Sequence, residues 1–101
     1  METQLNADKA TAVIRLEGRF DFNRHREFRS VCDQALGAGG VREVEVDFGK
    51  VEYIDSSALG MLLLLRDNAR LANKTVRLAN CSGSVRQILD IANFAKLFPI
   101  N

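Results

Sequence analysis

The sequence of 101 residues predicts a single α/β domain, with a mixed, mostly parallel β-sheet of four to five strands covered by three to four α-helices. Two observations predict this class. Segments of alternating polarity are interleaved with segments of helical periodicity over most of the chain, an order typical of parallel sheets with helical cover. The length suits one domain, and a content of 47% hydrophobic and 27% charged residues is typical of a globular protein.

The first part of the chain predicts two strands. Residues 3–6 fit a short edge strand, and residues 7–10 fit a turn. From Thr11 to Glu17 apolar side chains alternate with polar ones, and Gly18 is expected to end this second strand.

A helix of about a dozen residues is expected after residues 20–23. The glycines at 37, 39 and 40 fit its C-terminal stop better than a phosphate-binding loop, because no Gly-Lys-Ser/Thr follows them. Its apolar residues recur with the period of a helix that is buried along one stripe. These residues are Phe28, Val31, Cys32, Ala35 and Leu36.

The remainder of the chain continues the alternation of strands and helices. Residues 41–48 alternate in polarity and predict a strand, and residues 58–71 predict a helix that is apolar on nearly every side at its start. Residues 75–79 predict a short strand. Ser84 and Gln87 have the spacing of a capping box at the start of a last helix.

Asp55, Ser56 and Ser57 fall where a strand pattern gives way to the apolar helix. Small polar side chains at such a position cap the free N–H groups of the first helical turn. One hydroxyl can cap, and we expect the other to be left over; Asp55 is a further candidate for the cap. Gly60 costs the helix roughly 1 kcal/mol relative to Ala, which indicates close approach by another backbone or by a partner.

The segment Asp55-Ser56-Ser57-Ala58-Leu59-Gly60, after a hydrophobic strand and before a leucine-rich helix, resembles the signature of the STAS domain. The resemblance is to the single-domain anti-sigma factor antagonists in particular. Gly18-Arg19-Phe20-Asp21 resembles the strand-end turn of that family, with more aromatic bulk from Phe20 and Phe22 than is usual. Residues 85–89 and 97–98 resemble its last helix and tail, so residues 1–101 are expected to form one STAS domain.

The resemblance implies a regulatory role in a bacterial partner-switching pathway that controls transcription. In this family the first serine after the aspartate, here Ser56, is phosphorylated by a partner that is both anti-sigma factor and GHKL-type serine kinase. The unphosphorylated form binds that partner, phosphorylation releases it, and a PP2C-type phosphatase resets the serine. The residues expected by position to contact the partner are Asp21, Asp55, Ser56, Ser57, Ala58, Leu59 and Gly60.

Two other functions stay open, and the sequence separates the first of them from the partner switch poorly, because a capping role alone would also retain the hydroxyl of Ser56. A STAS module can serve as a scaffold in a transporter or another signalling complex without a phosphorylation cycle. A small serine hydrolase would need Ser56, His25 and Asp21 to form a nucleophilic triad. The chain has no Gly-x-Ser-x-Gly elbow and no recognisable oxyanion motif, so we expect a ligand and kinase substrate that is not itself an enzyme.

Composition argues against several classes of partner and location. The formal net charge of +1 supplies no basic field for nucleic acid. The N-terminus does not resemble a signal peptide, and the apolar run over 58–65 is too short to span a bilayer, so we expect a cytoplasmic protein without membrane insertion.

No metal site or cofactor is expected, since the two cysteines lack metal-ligand spacing and fit reduced structural thiols.

A basic edge is expected on the first helix, formed by Arg24, Arg26 and Arg29. This edge is either a solvated face or a contact for an acidic partner surface or a phosphate.

Overall fold

The computed structural model describes residues 2–6 and 10–100, in which four strands form one sheet and three α-helices cover it. Two short 3-10 turns, at Phe22–Arg24 and Phe94–Lys96, precede the first α-helix and follow the last one. The turn expected over residues 7–10 lies, for residues 7–9, outside the described residues. The strands and helices are β1 (Glu2–Asn6), β2 (Thr11–Phe20), α1 (His25–Gly37), β3 (Glu43–Ile54), α2 (Ser56–Leu71), β4 (Thr75–Ala79) and α3 (Gly83–Ile91).

The sheet follows the order of the sequence, β1-β2-β3-β4. β1 pairs antiparallel with β2, and the other two pairs are parallel and connected through α1 and α2. The predicted mixed, mostly parallel sheet is confirmed, with its strand and helix numbers at the lower limits of the expected ranges.

One face of the sheet carries the core. The side chains at even positions of β2 and β4 and in the first half of β3 are buried, and they form a single cluster with the apolar stripes of all three helices. The odd positions are mostly polar and at least partly exposed, as at Arg15, Glu17, Glu43 and Glu45. Successive parallel strands in sequence order place their crossover helices on the same face, which brings α1 against α2.

Both central strands run further than the sequence predicts. β2 continues past Gly18 to Phe20, and β3 continues past Phe48 to Ile54, so the expectation that Gly18 ends its strand is wrong. The register shifts at two places, and β3 gains one residue on β2 at each of them. Gly18 has φ of +67°, a conformation that glycine adopts without a steric penalty. Such bulges break the alternation of buried and exposed side chains that marks a strand in sequence.

The helices confirm their predicted apolar stripes but not every predicted cap. In α1, four of the five predicted core residues are buried and Leu36 is partly buried against them. The capping box at Ser84 is wrong, because α3 begins at Gly83 and its N-cap residue is Ser82. The Ser82 side chain itself makes no capping hydrogen bond. No helix in the described residues has both the length and the apolar character needed to cross a bilayer.

Both cysteines are free and buried, as expected for structural thiols. Burial, with a smaller contribution from Asp33, raises the pKa of the Cys32 thiol to about 12. Burial is also the main cause that raises the pKa of the Cys81 thiol to about 11. Neither side chain is therefore a reactive thiolate near neutral pH.

Candidate functional site

The carboxyl ends of β2 and β3 lie side by side and bring two strand-end turns together. Phe20, the last residue of β2, is paired with Ile54, the last residue of β3. The next residues, Asp21 and Asp55, therefore leave the sheet at the same edge. The backbone N–H of Phe22 donates a hydrogen bond to Asp55 Oδ2 at 3.4 Å, which joins the two turns directly.

Asp55 is the N-cap of α2. Its Oδ1 accepts a hydrogen bond from the backbone N–H of Ala58 at 2.9 Å. The expectation that one serine hydroxyl caps this helix is wrong, because the carboxylate of Asp55 already occupies that role. A single side chain thus both begins α2 and holds the neighbouring turn.

Ser56 and Ser57 occupy the first turn of α2 with their hydroxyls unused. Ser56 is exposed and Ser57 is half-buried. Among residues 10–100, neither hydroxyl makes a hydrogen bond to another group. Ser56 is therefore accessible to a modifying enzyme.

Asp21 lies on the adjoining turn, half-buried, and acts locally. Its carboxylate accepts from the backbone N–H of Asn23 at 3.1 Å and caps the 3-10 turn. Its other oxygen lies 3.5 Å from Arg19 Nε. The Arg19 guanidinium in turn sits over the ring of Tyr53, at 4.3 Å from the centroid. The structure thus places Asp21 at the corner with a structural role, and its role in partner binding stays a prediction.

His25 does not join Asp21 and Ser56 in a catalytic relay. Its Nδ1 lies 2.7 Å from the backbone carbonyl oxygen of Phe22, and its ring stacks on the Phe22 ring at 4.5 Å between centroids. No hydrogen bond connects His25 with Asp21 or Ser56 in the described part of the chain. The serine-hydrolase hypothesis therefore has no geometric support here.

The start of α2 offers an uneven surface. Ala58 is fully buried, Leu59 is half-buried and Gly60 is exposed. A Cβ on Gly60 would meet nothing within 4 Å among the described residues, so none of their backbone approaches Gly60 closely, and an approach by a partner stays a prediction. Further along, Leu62 and Leu65 belong to the core, whereas Leu64 is 63% exposed.

Two exposed residues near the corner, Phe22 and Tyr53, were not among the predicted site residues, and neither was Leu64, which is exposed about two turns further along α2. The aromatic bulk around Asp21 was a signal for Phe22. Tyr53 meets Arg19 only through the shifted register of β2 and β3, which the sequence does not reveal. Among the described residues, no group of three or more His, Cys, Asp or Glu side chains could hold a metal ion.

The fold and this corner together define a class of small α/β domain with an aspartate-capped helix that presents an exposed serine. The chain belongs to the STAS domain family, since the family model described as "Mlab, STAS domain" matches residues 3–99.

Relatives and solved structures agree with this assignment. A STAS-domain-containing protein of Pseudomonas aeruginosa (strain UCBPP-PA14) is 48% identical over 96 residues, which cover 95% of this chain and 93% of that protein. An anti-sigma-factor antagonist domain protein from Planctomyces limnophilus has a similar structure, with a TM-score of 0.82 at 17% identity, over 98% of this chain and 86% of that one.

The anti-sigma factor antagonist SpoIIAA of Bacillus is similar in an unphosphorylated and in a phosphorylated form. The unphosphorylated form gives a TM-score of 0.74 at 22% identity, over 99% of this chain and 86% of that one. The phosphorylated form gives 0.70 at 23% identity, over 99% and 91%. At these identities the structural likeness shows a shared fold.

Proposed function

We propose that this protein is an anti-sigma factor antagonist. Its unphosphorylated form binds an anti-sigma factor with GHKL-type serine kinase activity, and phosphorylation of Ser56 releases that partner. A PP2C-type phosphatase restores the binding form. The protein is a ligand and a substrate in this cycle, acts in the cytoplasm, and affects transcription through the sigma factor that its partner holds.

The observation that supports the proposal most directly is that Asp55 caps α2, while the exposed Ser56 takes no part in the cap. The cap of α2 is made by the Asp55 carboxylate, at 2.9 Å from the Ala58 nitrogen. The hydroxyl of Ser56 is exposed and has no structural duty among the described residues. A serine that neither caps nor packs is free to be modified without loss of the fold.

A phosphate on Ser56 changes the folded chain little. It adds about 1.5 to 2 negative charges at neutral pH. The dipole of α2 stabilises negative charge in its first turn by roughly 0.3–1 kcal/mol, and the neighbouring Asp55 carboxylate opposes that gain. These opposing contributions are small beside the stability of a domain.

The same phosphate has a larger effect on a complex. Burying an unpaired charge in an interface costs on the order of 2–5 kcal/mol, and each 1.4 kcal/mol is tenfold in affinity. The partner's affinity would then fall by about thirtyfold to a few thousandfold. Since this exceeds the change within the fold, phosphorylation acts by disrupting a docking surface around the Asp55 corner.

Asp21 and Asp55 give this surface its shape. The hydrogen bond from the Phe22 N–H to Asp55 Oδ2 fixes the turn that carries Asp21 beside the start of α2. We propose that the partner contacts both turns, with Asp21 on one and Ser57, Leu59 and Gly60 on the other. Ala58 supports the second turn from within, since it is fully buried.

The test is a pull-down from lysate of the source organism with wild-type, Ser56→Ala and Ser56→Asp baits, followed by mass spectrometry. A GHKL-type kinase retained by the wild type and Ser56→Ala, but lost with Ser56→Asp, supports the proposal. Ser84→Asp is the matched control, because Ser84 is also an exposed serine in the first turn of a helix. That bait should retain the kinase.

A different pattern of retained proteins would support the scaffold function. If all of the baits retain the same set of proteins, Ser56 does not control binding and the partner-switch proposal is wrong. Ser57→Asp separates the two neighbouring hydroxyls, because a switch at Ser57 would make that bait, and not Ser56→Asp, lose the kinase.

A further inference from the structure

Asp47 lies on β3 at the point where this strand first departs from the register of β2. It is the last residue before the first register shift, since it pairs with Arg15 while Lys50 pairs with Glu17. It is also the last residue of β3 that pairs with β4, where it lies opposite Ala79. The Asp47 side chain is therefore next to both adjoining strands at the place where the regular pairing is interrupted.

The Asp47 carboxylate contacts three segments of the chain. Oδ1 accepts a hydrogen bond from the backbone N–H of Gly49 at 2.8 Å, within the bulged part of β3. The same oxygen accepts a hydrogen bond from Asn80 Nδ2 at 3.0 Å, directly after the end of β4. Oδ2 lies 3.9 Å from Arg15 Nε on β2. One side chain thus joins the bulge to the strands on both sides of it.

Gly49 and Asn80 are suited to this arrangement. A Cβ on Gly49 would lie 3.1 Å from Asp47 Oδ1 and 3.6 Å from the Cβ of Asn80, so a larger residue would crowd the carboxylate. Asn80 has φ of +57°, in the left-handed region where asparagine is enriched. The bulge is therefore built around the Asp47 carboxylate, with a close approach on one side and a donor on the other.

The register that follows this bulge decides what the corner presents. Each shift adds one residue to β3 relative to β2, and a slip of one residue reverses which side chains of a strand face the core. In the observed register Ile54 is buried opposite Phe20, and the exposed Tyr53 lies beside Arg19. Loss of the first shift would place Tyr53 opposite Phe20 and displace Asp55 by one residue, roughly 3.3 Å.

We propose that Asp47 is a positioning residue for phosphorylation of Ser56. By holding the first register shift, its carboxylate places Asp55 within hydrogen-bonding distance of the Phe22 N–H and thereby fixes the start of α2 beside the neighbouring turn. Asp47 lies in the first half of β3, whereas the corner follows the last residue of that strand, so Asp47 acts through the register. The inference rests on the proposed function, in which the kinase recognises both turns.

The register is tested by NMR spectroscopy of the free chain. The Arg19 guanidinium lies 4.3 Å from the centroid of the Tyr53 ring, so the ring current should move the Arg19 side-chain signals upfield. Asp47→Ala should lose this shift, and Asp47→Asn, which keeps an acceptor oxygen, should retain most of it. Val41→Ala is the matched control for lost stability, because Val41 is buried and lies before the start of β3. It should retain the shift.

Asn80→Gly is a second variant that disturbs the bulge less. It removes the Nδ2 donor to Asp47 Oδ1, and glycine adopts a φ of +57° without a steric penalty. Asn80 is exposed, so the substitution leaves the core intact. The Arg19 signals should move in the same direction as in Asp47→Ala, by a smaller amount. If Asp47→Ala does not fold, an unchanged Arg19 shift in Asn80→Gly overturns the inference.

The consequence for the proposed function is tested with the kinase that the wild-type bait retains. Steady-state phosphorylation of Ser56 is measured for each variant. Asp47→Ala should lower kcat/KM by about tenfold or more, mainly through a higher KM, because a displaced corner fits the kinase poorly. Val41→Ala should match the wild type, and Asp47→Asn should recover most of the loss.

The outcomes separate this inference from the proposed function. If Asp47→Ala loses stability as Val41→Ala does but keeps the Arg19 shift and kcat/KM, Asp47 is only structural and the inference is wrong, while phosphorylation of Ser56 stands. A lost Arg19 shift with unchanged kcat/KM would also overturn it, because the kinase would then not depend on the register. If no kinase modifies Ser56 of the wild type, the proposed function fails and the positioning role fails with it.

Discussion

Asp55 holds the corner through two hydrogen bonds, one to the Ala58 N–H and one to the Phe22 N–H. The residues around it therefore fall into two groups: those whose side chains stabilise the fold, and those whose side chains the fold does not need. Asp55 and Asp21 hold backbone groups in place, and Ser56 makes no such contact in the described chain. At this scale stability and signalling can be measured separately.

Substitution of Asp55 should cost stability, whereas substitution of Ser56 should not. Asp55→Ala removes the cap of α2 and should lower the free energy of unfolding by about 1–2 kcal/mol. Asp55→Asn keeps a capping oxygen and should cost less. Ser56→Ala should stay within about 0.5 kcal/mol of the wild type. Urea denaturation followed by circular dichroism measures all three, and a Ser56→Ala loss as large as that of Asp55→Ala would show that the hydroxyl does cap.

The buried thiols should resist labelling. Because burial raises the pKa values of Cys32 and Cys81 to about 12 and 11, almost no thiolate exists at pH 8. Reaction with DTNB should be at least about a hundredfold slower in the folded chain than in guanidinium. The raised pKa values also make stability depend on pH. Their contribution to the free energy of unfolding is fully present at a pH below the thiol pKa of the unfolded chain, and it is lost as the pH rises through the thiol pKa values of the folded chain. Rapid labelling of the native chain at pH 8 would contradict the burial.

At the scale of the elements, the sequence predicts the elements well and their ends less well. The alternation over residues 41–48 reveals the first half of β3, since Val44, Val46 and Phe48 are buried as predicted. The second half is hidden because two register shifts against β2 interrupt the alternation. Those shifts also decide which residues meet at the corner, because they bring Phe20 opposite Ile54.

The position of the predicted site can be inferred from the order of residues along the chain. The order strand, Asp-Ser-Ser, apolar helix places Asp55 and Ser56 at a helix N-terminus without any knowledge of the sheet. The choice between Asp55 and a serine as the cap is decided by backbone geometry at a single turn, which residue types alone do not specify. The hydrogen bond between Asp47 and Asn80 joins segments that are distant in sequence, so it emerges only from the fold.

Two glycines should respond in opposite directions to substitution by alanine. Gly18→Ala forces a Cβ into a backbone with φ of +67° and should destabilise the chain by about 1 kcal/mol or more. Gly60→Ala adds a methyl group to a helical position with open space and should stabilise the chain by about 0.5–1 kcal/mol. Thermal and urea unfolding measure both. A destabilising Gly60→Ala would mean that something occupies the space beside that residue.

At the scale of the whole molecule, one face of the sheet carries the core, and one corner carries Ser56, the residue that we propose is phosphorylated. An unphosphorylated and a phosphorylated form of SpoIIAA both share this fold with the chain. The corner is anchored to the ends of the two central strands, which leaves little room for a phosphate on Ser56 to rearrange the domain. We therefore expect the modification to change what binds and to leave the fold as it is.

The measurement that tests this account most directly is the affinity of the recovered kinase for the chain before and after phosphorylation at Ser56. The chain is phosphorylated by that kinase with ATP, the modified residue is mapped by mass spectrometry, and both forms are titrated calorimetrically. We predict modification at Ser56, an unchanged circular dichroism spectrum and a Kd weakened by at least about thirtyfold. Equal affinity of the two forms, or modification elsewhere with Ser56 untouched, would contradict the account.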